Sequence, residues 1–225
     1  MTGRRPGETA EYREARDALL EAEHELTRAA ENVARLRRSM PLGGTVPEDY
    51  VFTEGPRNID ETGPLRPVTM TELFGGHPTL LLYSFMFDGT GTPCRMCTSL
   101  IDGYEGAAAD LERRVGFAVV APAPADELRA YGRQRGWRNV RLVSALGNAY
   151  SNDYGGVDSD GSLTSRMNVF SRRDGTVRHF YATEKPATGS DQDDRHLDTL
   201  WTLWGALDLS PEGRGDWRPE RPPRR

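Results

Sequence analysis

The chain has 225 residues, a formal net charge of −5 and only two cysteines. It contains no run of about 18 apolar residues and opens on a charged stretch, so neither a membrane span nor a secretory leader is expected and the reading is a cytoplasmic protein. The acidic balance gives no footing for nucleic acid, and 36% hydrophobic against 28% charged residues suits one compact domain carrying solvated arms.

From about Thr9 to Met40 the apolar positions Tyr12, Ala15, Leu19, Ala22, Leu26, Ala29, Val33, Leu36 and Met40 recur in steps of three and four. That pattern predicts one long helix with a narrow seam. Such a stripe serves either an arm lying on its own domain or a pair with another subunit, and homodimerisation through this helix is the reading taken. Pro41 to Pro47, with Gly43-Gly44 between, ends the helix, so residues 1–46 form a helical arm and linker.

Tyr50-Val51-Phe52 reads as a short strand and Thr69 to Phe74 as a helical turn. The apolar run Thr79 to Phe87 has the length of a strand covered on both faces. A helix is expected from about Pro93 to Arg114, a second buried strand over Val115 to Ala121, a helix from Ala125 to a cap near Gly136, and a third strand over Val140 to Val143. The Gly, Asn, Asp and Ser-rich stretch Ser144 to Ser165 is irregular, with a short helix around Asn148 to Tyr154. Met167 to Phe170 and Thr176 to Tyr181 flank Asp174-Gly175 as a hairpin. A closing helix over Asp194 to Leu207 carries Leu197, Leu200, Trp201, Trp204 and Leu207 on one stripe. The predicted fold class is α/β, a three-layer fold with a central mixed sheet spanning 47–215, plus the long N-terminal helical arm. Residues 216–225 read as a disordered Pro/Arg tail.

The chemistry concentrates in Thr92-Pro93-Cys94-Arg95-Met96-Cys97. Thr92 as N-cap and Pro93 at the first helical position would put both thiols in the first turn. Cysteines three apart on a helix can be bridged. Unpaired N–H groups at the helix start, with Arg95 adding positive charge, favour Cys94 as an attacking thiolate, and Cys97 would resolve the mixed disulfide. The alternatives are a reduced pair with no catalytic part, and a zinc or copper site in which Cys94 and Cys97 are joined by His179 or His196. No resident cofactor is expected. Trp137, Tyr150, Tyr154, Trp201 and Trp204 are either core or one wall of a pocket above the dithiol. Asp158-Ser159-Asp160-Gly161 begins like a calcium loop, but Val169 stands where the closing Glu would be.

Taken together, Pro47 to Phe52, Tyr83 to Phe87 leading to Pro93 to Ser99, Arg135 to Arg138, Asn168 to Phe170 and Leu207 to Gly215 resemble the bacterial thioredoxin-like family DUF899. More distantly, Leu142-Val143-Ser144, Ala149-Tyr150 and Arg166 to Phe170 before Asp174-Gly175 resemble peroxiredoxins. The resemblance implies a thioredoxin fold and no known substrate; with the dithiol, the reading is a thiol-disulfide oxidoreductase acting on a small-molecule or protein disulfide, and the alternative on this fold is a non-redox biosynthetic enzyme. The peroxiredoxin pattern of a proline and a Thr or Ser before the reactive cysteine is absent at both cysteines. Thr164-Ser165-Arg166 occupies the stretch where thioredoxins place a cis-proline, and Arg166 there is a candidate for holding an anionic group. Thr92, Arg166, Tyr154 and Trp137 are thus the expected substrate contacts.

Overall fold

The computed structural model describes residues 5–184 and 195–220. The chain divides into two compact units, Met1–Pro41 and Leu42–Arg225. The first is a single helix, α1 (Ala10–Ser39), capped by the Thr9 hydroxyl, which accepts the Tyr12 N–H. Its seam is where the periodicity puts it, and none of its residues is buried: Leu19 is 57% and Leu26 70% exposed.

The second unit is built on a sheet of seven strands: β1 (Val51–Glu54), β2 (Arg66–Thr69), β3 (Thr79–Ser84), β4 (Gly116–Ala121), β5 (Leu142–Ser144), β6 (Arg166–Arg173) and β7 (Thr176–Ala182). They lie in the order β2-β1-β5-β4-β3-β6-β7. β3, β4 and β5 are parallel, while β6 runs antiparallel to β3 and β7 to β6. β4 is apolar at every position and β3 at all but its end residues, Thr79 and Ser84, because successive side chains face opposite layers and both layers are covered. Tyr83, Phe117, Val119 and Ala121 face one core and Leu80, Leu82, Ala118 and Val120 the other. The helices α3 (Arg95–Glu105), α5 (Ala125–Arg135) and α7 (Thr202–Leu207) cover the first core. The shorter α2 (Met70–Leu73) and α6 (Tyr150–Asp153) cover the second. This is the thioredoxin-like three-layer arrangement with a central mixed sheet.

The hairpin turns at Asp174 and Gly175, whose φ values of 51° and 76° are what a two-residue turn between twisted strands requires. Four elements depart from expectation. The helix expected to run from Pro93 to Arg114 begins only at Arg95 and stops at Glu105, with Gly106 as its C-cap; the short α4 (Ala108–Leu111) follows. The third strand, expected over Val140 to Val143, starts two residues later and ends one later, over Leu142–Ser144. The closing helix is broken into a 3₁₀ turn over Asp198–Leu200 and α7, because Trp201 is extended at φ −130°, ψ 97°; its predicted start at Asp194 lies outside the described residues. β2 has no apolar alternation to announce it: of its four residues only Val68 is buried, and the segment is extended through its pairing with β1. Of the predicted tail, residues 221–225 lie outside the described residues, while Trp217 packs edge-on against Trp204 at 6.2 Å between ring centres.

Candidate active site

The dithiol follows the C-terminal end of β3, which lies between β4 and β6 in the sheet. Beyond Ser84, the Phe85 N–H still donates to Val120 O at 2.8 Å, so the chain leaves the sheet only at Met86. Asp88 then ties the following loop by accepting from the Thr90 N–H, the Thr90 hydroxyl and the Gly91 N–H. The Cys94 N–H returns to Met86 O at 3.2 Å, which closes the loop and sets Cys94 at the entrance to α3.

Cys94 itself, with φ −57° and ψ 118°, is the N-cap. Its Sγ accepts the Cys97 N–H at 3.3 Å, the duty that Ser or Asp usually performs at this position. The Cys94 sulfur is therefore the capping atom, and Thr92-Pro93 belong to the approach, two residues earlier than α3 needs. One turn on, the Thr98 hydroxyl donates to Cys94 O at 2.9 Å and lies 2.9 Å from the Tyr131 hydroxyl, anchoring this turn to α5.

Both cysteines are free thiols; Cys94 is half-buried and Cys97 buried. The Cys94 thiol is lowered from 9.0 to about 6. The hydrogen bond from the Cys97 thiol is the main cause; burial opposes it, and the N–H groups of Cys97 and Met96 and the Arg95 charge add to it. The Cys97 thiol is pushed up by that same hydrogen bond, by burial and by the charge on Cys94, while the Tyr83 hydroxyl and the Met86 N–H act in the opposite sense. The pair thus holds one proton on Cys97 and a thiolate on Cys94 at neutral pH. Because thiolate is the reactive form, the rate of Cys94 alkylation by iodoacetamide is expected to rise through a midpoint near pH 6 and to be flat above about pH 7. A midpoint above pH 8 would remove the activation.

The sulfurs open into a cleft of about 710 Å³. Tyr83, Met86, Met96 and Ser165 surround them, and the far wall is formed by residues between Arg195 and Arg218. Within that wall Arg195 pairs with Asp198 at 2.7 Å and Asp208 at 3.2 Å. Arg214 pairs with Asp198 at 2.8 Å and with Asp208, and lies over the Trp204 ring at 4.9 Å.

The residues singled out from sequence divide sharply. Cys94 and Cys97 meet at the cleft, and Arg95 stands between them with its charge acting on Cys94. Thr92 is exposed in the loop before them and caps nothing. Trp137 is sealed in the core, its indole N–H donating to Asp102 Oδ1 at 2.8 Å. Tyr154 and Arg166 belong to the other side of the sheet. Tyr154 packs on Phe170 and His179, and the Arg166 Nε–H donates to Gly155 O at 3.0 Å. In extended chain neighbouring side chains face opposite ways, so Ser165 reaches the cleft and Arg166 turns from it. His179 shares the second core's face with Tyr154, away from the thiols, whereas His196 lines the cleft. Among the described residues no group of three or more His, Cys, Asp or Glu is placed to hold a metal ion. Tyr83 and Ser165 escaped the sequence reading. The alternation in β3 could have put Tyr83 on the dithiol's face, but nothing in the sequence signals Ser165.

Solved structures similar to the chain include three enzymes. Reduced 2-Cys peroxiredoxin of Plasmodium vivax is 16% identical over 74% of this chain and 98% of that one, with a TM-score of 0.47. Thioredoxin peroxidase I of Plasmodium yoelii is 16% identical over 80% and 97%, with a TM-score of 0.45. AhpC of Enterococcus faecalis is 10% identical over 79% and 98%, with a TM-score of 0.47. Comparison with curated proteins gave no match. A family model described as "Bacterial protein of unknown function (DUF899)" matches residues 1–222. The chain therefore belongs to the DUF899 family.

Proposed function

We propose that this protein is a thiol-disulfide oxidoreductase in which Cys94 attacks and Cys97 resolves. The observation that carries the reading is a free dithiol at a helix start, open to a cleft, with its outer thiol lowered to about 6. The Cys94 thiolate attacks one sulfur of a disulfide; the S–S bond breaks, and the departing thiolate takes a proton from solvent. The mixed disulfide removes the charge on Cys94 that had been pushing the Cys97 thiol up, so Cys97 can ionise. Its thiolate then attacks Cys94 Sγ, and the second half of the substrate leaves with the proton Cys97 gave up. Two electrons pass from the dithiol to the substrate, and a Cys94–Cys97 disulfide remains. The Tyr83 hydroxyl beside Cys97 supports the charge that forms there. Replacing Tyr83 by Phe should slow the resolving step by about fivefold to tenfold and leave the attack on Cys94 intact, which a rapid-quench measurement of the two steps separates.

The direct test mixes the reduced protein, freed of reductant, with a model disulfide and follows by mass spectrometry the loss of two hydrogens. A protein that stays fully reduced with accessible Cys94 refutes the reading. The same proposal includes a cytoplasmic setting, where free thiols persist, and residues 1–46 as an arm that pairs with a second copy through the exposed seam of α1. Sedimentation should give a dimer that Leu19→Lys and Leu26→Lys together convert to monomer; an unaltered mass would remove the pairing.

A further inference from the structure

The cleft over the dithiol has a far wall whose charges are unevenly committed. Arg195 and Arg214 are held by Asp198 and Asp208, so neither offers a full charge to a ligand. Two residues further along the rim differ. Asp216 has no hydrogen-bonded or ion-paired partner among the described residues, and the Arg218 guanidinium donates to its neighbour's carbonyl, Trp217 O, at 2.9 Å. One acid and one base, both exposed and not paired with each other, thus border the same opening. A second observation points the same way. The Trp201 indole, 6% exposed in the cleft wall, has an N–H with no acceptor, and a buried donor left unpaired is costly unless something supplies an oxygen.

Resting on the oxidoreductase reading above, we propose that the cleft selects a small disulfide flanked by α-amino acid groups. The carboxylate meets Arg218 and the Trp201 N–H comes within reach of its oxygen as the wall adjusts, while the ammonium meets Asp216 and the methylenes beside the sulfurs lie on Met86 and Met96. A volume of about 710 Å³ is in the range of small-molecule sites. The chemistry at sulfur is that already given: the substrate gains two electrons and two protons and leaves as two thiols, and the dithiol becomes a disulfide.

The test measures the rate at which the reduced protein is oxidised by cystine, by bis(2-hydroxyethyl) disulfide, by cystine dimethyl ester and by 3,3′-dithiodipropionate. Each rate is divided by that of the same disulfide with β-mercaptoethanol, which removes differences in intrinsic reactivity. Cystine is expected to exceed the uncharged disulfide by about tenfold, with the ester and the diacid falling between, since a rim charge pair is worth roughly a fewfold. Asp216→Asn and Arg218→Gln should each reduce the ratio of cystine to uncharged disulfide by about threefold to fivefold. Equal normalised rates for all four disulfides, or ratios unmoved by both substitutions, overturn the selectivity while leaving the oxidoreductase in place. Failure of every disulfide to oxidise the protein overturns both.

Discussion

Serine in place of Cys94 is expected to abolish oxidation of the protein by any disulfide, by at least about a thousandfold, because a hydroxyl at this cap carries no negative charge at neutral pH. Serine at Cys97 should give a different failure. Attack on the substrate proceeds, no second sulfur is present to release it, and the protein accumulates as a mixed disulfide on Cys94, seen as a mass increase of half the substrate. The asymmetry follows from where the two sulfurs sit: Cys94 is the N-cap facing the cleft, and Cys97 is 2% exposed behind it. Equal and complete loss in both variants, with no adduct on either, would mean that the two thiols do not act in sequence. Both variants should stay folded, since serine can keep the Cys97 N–H at the cap.

The largest loss of stability is expected from Arg129→Ala. Arg129 lies on α5 with only 7% exposure, and its guanidinium donates to the carbonyls of Pro56, Asn58, Ile59 and Glu61 at 2.7–3.3 Å. These carbonyls belong to the connection between β1 and β2, a segment with little regular structure of its own. A planar fork of five donors can gather such scattered acceptors, and a lysine cannot. Each buried carbonyl left without a donor costs about 1–3 kcal/mol, reduced where the segment opens to water, so a total near 3 kcal/mol is expected, read as a shift in the denaturant midpoint. Gly55 should be nearly as intolerant. A Cβ there would stand 2.5 Å from Arg129 Nε, so Gly55→Ala must displace the fork and is expected to cost about 2 kcal/mol. An Arg129→Ala protein within about 0.5 kcal/mol of wild type would show that the connection holds itself.

The central strands were legible because burial on both faces writes an apolar run, as in Thr79 to Phe87, and α1 because one seam repeats along thirty residues. The hairpin was legible from Asp174-Gly175. What was not legible depends on partners distant in sequence. β2 is a strand because Val68 pairs with Phe52, and the closing helix breaks at Trp201 even though its apolar stripe continues. At the site, the cysteines and Arg95 were readable from local chemistry. The residues expected to touch substrate do not gather at the cleft: Trp137 is core, and Tyr154 and Arg166 lie on the other face of the sheet. Arg166 stands one residue from Ser165, which lines the cleft; in an extended segment facing direction changes at every step, and residue type alone does not fix its phase.

The cap at Cys94 also bears on which way electrons run. The N–H groups of Cys97 and Met96 and the Arg95 charge stabilise sulfur only while it is an anion, so their contribution exists in the dithiol and vanishes once the bridge forms. A bias toward the reduced state raises the midpoint potential, and this protein should lie above the roughly −270 mV of thioredoxin. A pair capped in this way is the weaker reductant as a dithiol, and as a disulfide it is the more readily reopened by a thiol, than the same pair without the cap.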